Sequence, residues 1–140
     1  MFVIIMKKKE KLDILYEDKE IIVINKPSNL LTIGTEKNRD NNLYRKVSEY
    51  VKKQHKSNKI FIVHRLDKDT SGLMVVAKND KVHELLSNMI RDKKIERKYL
   101  ALVWGVVRHE KGTIEAPIGR DLNNRQKYTV TDLNGKDSIT

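Results

Sequence analysis

Chemically versatile side chains are concentrated in one short segment, HRLDKDTSGL, at residues 64–73. The segment connects two apolar runs, IFIV at 60–63 and LMVVA at 73–77. Both runs are rich in β-branched residues and too short for core helices, so they predict buried strands. A connection between strands needs only turn residues such as Asp, Ser and Gly, yet this one also holds Arg65 and Asp67. Because functional residues often lie on loops held by a rigid scaffold, this loop is a candidate site.

Two kinds of chemistry fit the loop poorly. A metal site could use His64, Asp67, Asp69 and His83, but the sequence contains no HxxxH or HxH pair. A serine nucleophile at Ser71 would need a G-x-S-x-G turn, which TSGL does not provide. We therefore expect no metal and no serine-based triad here.

A third chemistry, catalysis by one carboxylate beside an arginine on a basic RNA-binding surface, fits better. In the simplest structural interpretation of the loop, Asp69, Thr70 and Ser71 only cap backbone amides in an Asx turn. That interpretation accounts for these three residues but leaves Arg65 and Asp67 without a structural role.

Composition bounds the partners of the chain. Its 140 residues allow one domain with a real core, and the absence of cysteine excludes disulfides and fits a reducing cytoplasm. The net charge of +10 favours a polyanionic partner such as nucleic acid, although a Lys-rich surface that is merely soluble is the alternative. The N-terminal MFVIIM precedes KKK, the reverse of a signal peptide, and is too short to cross a membrane. We expect it to form an extra strand in an N-terminal extension, residues 1–12, unless translation starts at Met6.

Periodicity predicts the elements that position the loop. Residues 13–27 indicate two strands around a Glu-Asp-Lys turn, the second ending at Pro27. Apolar residues at helical spacing predict one helix within 41–56, behind an Asn/Asp cap, and another over 81–92, capped by Asp80. The apolar stripe of the second helix is Val82, Leu85, Leu86, Met89 and Ile90.

The C-terminal part of the chain is predicted to be mostly strand. Residues 97–107 and 113–118 have strand patterns, and the last fifteen residues indicate a hairpin turning at Asn134-Gly135. The predicted fold class is therefore α+β, with a mostly antiparallel mixed sheet flanked by a few helices.

Three segments, in order, resemble the motifs of the RluA-type RNA pseudouridine synthases. They are VINKPSNLLT at 23–32, HRLDKDTSGLMVVAKN at 64–79 and KKIERKYLALVWG at 93–105. The resemblance covers 13–140 and implies the pseudouridine synthase fold. It also implies that uridine in structured RNA, ribosomal or transfer, is isomerised without cofactor or metal.

The resemblance assigns roles to individual residues. Asp67 is implied as the catalytic carboxylate, and Arg65 as the residue that fills the gap left by a flipped nucleotide or holds a phosphate. Tyr99 is expected to stack on the uracil, and His64 to orient the loop at the substrate site. Lys26 is expected to support the site from behind.

The sequence departs from the family pattern in two places. Asn29 stands where the family has glycine, although Asn also tolerates a left-handed backbone. A TGRTHQIR-like motif, which brings a basic partner to the catalytic Asp, does not occur before Thr140. The resemblance therefore predicts a partial catalytic domain, inactive as it stands; the alternative is a complete chain to which another subunit supplies the rest. It also predicts an exposed sheet edge through which chains could associate, because the strand after Asn134-Gly135 is short.

Several basic residues outside the loop are candidates for phosphate contacts. They are Lys46, Lys52, Lys53, Arg91, Lys93, Lys94, Arg97 and Lys98. The alternative function from another class is a non-catalytic RNA-binding module that uses the same surface.

Overall fold

The structure is a computed structural model that describes residues 11–36 and 39–140. The strand predicted for MFVIIM lies outside these residues. The chain forms two compact units, one extending to Lys98 and the other covering Tyr99–Thr140.

An antiparallel sheet in the order β1-β2-β4-β3 forms the centre of the first unit. Its strands are β1 (Ile14–Glu17), β2 (Ile21–Lys26), β3 (Phe61–Ile62) and β4 (Gly72–Ala77). Alternate β2 and β4 side chains, including Ile22, Ile24, Met74 and Val76, are fully buried on one face. The structure thus confirms the strand pair before Pro27 and the two strands that flank the candidate loop.

Helix α1 (Leu43–Gln54) packs on the buried face of this sheet. Its N-cap is Asn42, whose side chain accepts a hydrogen bond from the backbone N–H of Arg45 at 2.9 Å. Leu43, Val47 and Val51 are fully buried at helical spacing. The predicted helix and its Asn cap are confirmed.

Helix α2 (Asp80–Arg91) is also present, but its cap differs from the prediction. Asn79, not Asp80, is the N-cap, because its backbone is extended and its Oδ1 accepts from the N–H of Val82 at 2.9 Å. Asp80 lies in the first turn, where its negative charge interacts favourably with the N-terminal end of the helix dipole. Of the predicted apolar stripe only Val82 is buried, and Leu85 is 57% exposed.

The second unit contains a three-stranded antiparallel sheet in the order β6-β5-β7. Its strands are β5 (Glu115–Arg120), β6 (Tyr128–Val130) and β7 (Lys136–Ile139). The predicted hairpin is wrong, because β6 and β7 pair with β5 rather than with each other. The chain does turn tightly at Asn134-Gly135, where Asn134 has a φ of 59° and a Cβ on Gly135 would clash with the Thr131 carbonyl oxygen.

The strand predicted at 97–107 is also wrong, since the segment forms neither strand nor helix. Leu100, Leu102 and Trp104 are fully exposed. A strand pattern yields a strand only where a neighbour completes the hydrogen bonds, and no strand of the described chain pairs with this segment. Within the described residues, seven strands, two helices and antiparallel pairing throughout both sheets confirm the α+β class. Association through a sheet edge stays a prediction.

Candidate active site

A fully buried lysine at the end of β2 anchors the candidate loop. The Lys26 ammonium donates to the carbonyl oxygens of Pro27 at 3.0 Å, Leu30 at 2.8 Å and Lys68 at 3.1 Å. These acceptors use all three of its protons, which is how a buried ammonium avoids an unpaired donor. Lys68 lies on the candidate loop, so Lys26 ties the loop to the sheet, as the sequence predicted.

The segment after Pro27 holds the loop along its length. Ser28 Oγ donates to the Asp69 carbonyl oxygen at 2.8 Å, and the Leu30 N–H donates to the Lys68 carbonyl oxygen at 3.1 Å. The buried Thr32 hydroxyl donates to the Leu66 carbonyl oxygen at 2.7 Å and lies 3.3 Å from the Leu66 N–H. The two segments that resemble the first two family motifs, 23–32 and 64–79, are therefore joined by hydrogen bonds.

Two left-handed backbone positions allow these segments to meet. Asn29 has a φ of 62°, which confirms that Asn replaces glycine here without loss of the conformation. Gly72, where the loop joins β4, has a φ of 129°, which side chains rarely permit. Gly72 is the first residue of β4 and pairs with Lys26, so the unusual φ lies at the point where the loop enters the sheet.

The loop presents two charged side chains to solvent. Leu66 is buried at 7% exposure, whereas Arg65 and Asp67 on either side of it are exposed. The Thr70 N–H donates to the Asp67 carbonyl oxygen at 3.2 Å and closes a turn behind Asp67. A carboxylate and a guanidinium are thus presented together on a loop whose intervening residue is fixed in the core.

The Asx-turn interpretation of Asp69, Thr70 and Ser71 is wrong. In the part of the chain that the structure describes, their side chains make no hydrogen bond to backbone amides. Instead the loop is held through backbone carbonyl groups, by donors from Lys26 and the segment after it. The exposed carboxylate of Asp69 is not needed for the turn.

Charges near the loop are of opposite sign. Burial lowers the pKa of Lys26 below its ordinary value, while the carboxylates of Asp69 and Asp67 act in the opposite direction by attraction. Lys26 therefore supplies a positive charge that attracts the Asp67 carboxylate. This electrostatic role was not predicted, because the resemblance implied only a supporting role for Lys26; its position at a strand end before Pro27 was the available signal.

His64 fastens the start of the loop to β4. Its Nε2 accepts from the Val75 N–H at 3.2 Å. Burial, followed by the positive charge of Arg97, lowers the pKa of His64, so the ring is neutral at pH 7 with its proton on Nδ1. Nδ1 is buried and has no hydrogen-bond partner among the described residues. The predicted orienting hydrogen bond is present, whereas a contact with substrate stays a prediction.

Tyr99 belongs to the second unit, where its side chain is 63% exposed. The structure therefore groups Arg65, Asp67, His64 and Lys26 in the first unit, and the stacking role of Tyr99 stays a prediction. Within residues 11–36 and 39–140, no three His, Asp or Glu side chains gather in a way that could hold a metal ion. No helix in those ranges has the length and apolarity needed to cross a membrane.

The candidate phosphate-binding residues occupy two surfaces. Lys46, Lys52 and Lys53 lie on α1, and Arg91 ends α2. Three of the residues in the segment from Arg91 onward form ion pairs with acidic neighbours: Arg91 and Lys94 with Asp92, and Lys98 with Glu96. Such exposed pairs contribute little to the stability of the fold.

Solved structures define the class of this fold. The structure of the human protein named RNA Pseudouridylate Synthase Domain Containing 4 superposes on this chain with a TM-score of 0.70 at 25% identity. The match covers 91% of this chain and 51% of the human one. The structure of the human protein named RNA Pseudouridylate Synthase Domain Containing 1 gives a TM-score of 0.69 at 23% identity. The match covers 93% of this chain and 50% of the human one. The chain thus has the fold of a pseudouridylate synthase domain.

Sequence comparison defines the family. The sequence model of the RNA pseudouridylate synthase family matches residues 20–140, and the chain belongs to this family. It is 43% identical to the uncharacterised RNA pseudouridine synthase YlyB of Bacillus subtilis, over 92% of this chain and 43% of YlyB. It is 42% identical to ribosomal large subunit pseudouridine synthase D of Pseudomonas aeruginosa, over 93% and 40%. The RluA-type resemblance is confirmed, and the chain spans about two fifths of the length of these relatives.

Proposed function

We propose that the protein isomerises uridine to pseudouridine in structured RNA, with Asp67 as the catalytic carboxylate. The observation that supports this most is the exposed Asp67 on a loop held from behind by the buried Lys26. Catalysis needs a reacting group in a fixed position, and this loop has anchors on both sides of Asp67, at Leu66 and Lys68.

The reaction requires little machinery. The C1′–N1 glycosidic bond breaks, the uracil rotates, and a C1′–C5 bond forms. The C5 proton is lost and N1 gains one, so atoms and charge balance without water, metal or cofactor. One carboxylate is enough because no water is activated, whereas glycoside hydrolases canonically use two carboxyl groups. Asp67 either attacks C1′ or removes a ribose proton.

The residues around Asp67 have complementary roles in this proposal. The uridine must leave its stack, which costs roughly a few kcal/mol. Arg65, exposed beside Asp67, fills the vacated space or holds a phosphate with its planar guanidinium. Tyr99 stacks on the flipped uracil. His64 is neutral and positions the loop through the hydrogen bond that its Nε2 accepts from the Val75 N–H.

Ribosomal RNA of the large subunit is the first substrate to test, because relatives such as the Pseudomonas aeruginosa protein are named for it. Transfer RNA is the second. With either substrate, the protein would act in the cytoplasm. The net charge of +10 supports binding to either RNA, since neutralised phosphates release counterions.

A non-catalytic RNA-binding module is the competing function, and mapping of pseudouridine distinguishes the two. Ribosomal and transfer RNA from cells with and without the gene are compared by sequencing after pseudouridine-specific derivatisation. The enzyme proposal predicts at least one uridine that is modified only when the gene is present. Identical pseudouridine profiles in both strains would leave the RNA-binding module as the function.

A further inference from the structure

An open groove of about 580 Å³ runs along one side of α1. One wall consists of Tyr44, Ser48 and Lys52, which recur at every fourth position and so share a helix face. The other wall is the segment 58–62, which includes β3. His83 of α2 contributes to the lining beside this segment.

The groove offers flat aromatic surfaces to a ligand. The rings of Phe61 and His83 stack with centroids 5.5 Å apart and planes inclined by 27°. Tyr44 is 44% exposed in the opposite wall, and Ile33 is 43% exposed in the same groove. Phe61 and His83 are half-buried, whereas Tyr44 is exposed. Aromatic rings that line an open groove are what single-stranded nucleic acids use for base stacking.

The charge of the groove is of one sign. Lys52 and Lys59 belong to its lining, which contains no carboxylate among the described residues. Neither lysine forms an ion pair with any residue in the described ranges. Glu49 lies in the two neighbouring grooves, one of which also contains Tyr44, Ser48 and Lys52, so in the described chain only the side of α1 that faces β3 is free of carboxylates. A groove that joins aromatic faces to unneutralised ammonium groups complements a nucleotide, which has a flat base and an anionic phosphate.

The groove leads away from the catalytic loop. Ile33 directly follows Thr32, which is hydrogen-bonded to Leu66 of that loop. Phe61 pairs with Ala77, at the end of β4 opposite Gly72, where the loop joins the strand. Six strand residues span about 17 Å, the reach of a few nucleotides.

We propose that this groove binds an unpaired segment of RNA, a few nucleotides away from the nucleotide at the candidate loop. Bases stack on Tyr44 and on the Phe61–His83 pair, and phosphates contact Lys52 and Lys59. The inference rests on the proposed function only in taking RNA as the ligand, and it requires no catalysis.

Binding of a single-stranded RNA probe tests the groove. Fluorescence anisotropy measures the Kd of a labelled oligouridine of about ten nucleotides for the protein. Tyr44→Ala is compared with Tyr16→Ala, since Tyr16 is 52% exposed and outside the groove. The Lys52→Gln, Lys59→Gln double variant is compared with Lys19→Gln, Lys81→Gln, which removes the same charge from exposed positions elsewhere.

Tyr44→Ala is expected to raise the Kd at least about fivefold, the lower end of what one stacked base contributes. The groove lysine pair is expected to reduce the slope of log K against log salt by about 1.4, or about 0.7 for each phosphate that is no longer neutralised. Both control variants should keep the wild-type affinity and salt slope. Groove variants that bind RNA no worse than their controls would overturn the proposal. Uridine monophosphate that binds in the groove without changing the Kd of the RNA probe would also overturn it.

The outcome is separable from that of the enzyme proposal. If pseudouridine profiles do not depend on the gene but the groove variants lose RNA affinity, the groove stands as part of an RNA-binding module. If pseudouridine depends on the gene and the groove variants bind normally, the enzyme proposal stands and the groove assignment is wrong.

Discussion

Replacing the buried Lys26 by methionine tests how the site is held together. Methionine has similar length and no charge, so the substitution removes the three hydrogen bonds to carbonyl groups and the attraction to Asp67 and Asp69 with little change in volume. Lys19→Met is the matched control, because Lys19 is exposed.

The expected magnitude follows from two opposing contributions. Three hydrogen bonds to a charged group would contribute about 1.5–3 kcal/mol each. Burial of the ammonium offsets part of this, as the lowered pKa of Lys26 shows. Methionine relieves that burial cost but leaves the carbonyl of Leu30 buried and those of Pro27 and Lys68 partly buried. We expect a net loss of about 3 kcal/mol in the free energy of unfolding, because a buried carbonyl group left without its donor costs about 1–3 kcal/mol.

Urea unfolding followed by circular dichroism measures the loss. Lys26→Met should lower the midpoint with little change in the slope, whereas Lys19→Met should leave the free energy of unfolding within about 0.5 kcal/mol of wild type. If Lys26→Met is as stable as Lys19→Met, the three carbonyl contacts do not hold the loop and the proposed anchoring of the site is refuted.

Three further predictions concern the elements around the site. Burial alone would raise the pKa of Glu17, but hydrogen bonds from Lys78, Tyr50 and Gln54 outweigh it, so the folded pKa lies below the ordinary value. The stability that Glu17 contributes is therefore present above its unfolded pKa of about 4.3 and is lost as the pH falls through the lower folded pKa. Glu17→Gln should reduce the loss of stability between pH 7 and pH 3, measured by urea unfolding at each pH. An unchanged pH dependence would contradict this prediction. Asn79→Ala should lower the stability measured by thermal unfolding by about 1 kcal/mol, and Asp80→Asn should lower it distinctly less. A larger loss for Asp80→Asn than for Asn79→Ala would show that Asp80 is the cap of α2. Thr32→Val should cost about 1–3 kcal/mol in the same assay, because it leaves the buried backbone of Leu66 without its partner, and equal stability would show that the Thr32 hydroxyl does not hold the loop.

Local patterns predicted the first unit well because its elements are specified by nearby residues. The Asn42 cap, the apolar spacing of α1 and the strand that ends before Pro27 each depend on a few adjacent side chains. The candidate loop was found in the same way, from polar residues crowded between two apolar strands. Asn79 was missed as the cap of α2 because Asp80 beside it has an equally strong capping preference.

Features that depend on distant partners were not predictable. Lysine is rarely buried, and the burial of Lys26 depends on the Lys68 carbonyl, 42 residues away. The Asn134-Gly135 turn was recognised, but only the pairing of β6 and β7 with β5 decides which strands are neighbours. The apolar pattern of 97–107 indicates a preference for strand, yet the described chain offers it no hydrogen-bonding neighbour.

The central claim is that Asp67 performs the chemistry, and the rate of isomerisation tests it most directly. Because the chain spans about two fifths of the length of its relatives, wild type, Asp67→Asn and Asp69→Asn are each purified with the C-terminal part of a relative restored after Thr140. They are assayed under single-turnover conditions on RNA labelled with tritium at uridine C5, and the tritium is released when the C–C bond forms. Asp69 is the matched control, since it is an exposed carboxylate on the same loop that also attracts Lys26. We predict that Asp67→Asn slows release by at least about a hundredfold while RNA binding is retained, and that Asp69→Asn stays near the wild-type rate. Tritium release by Asp67→Asn at the wild-type rate would contradict the claim.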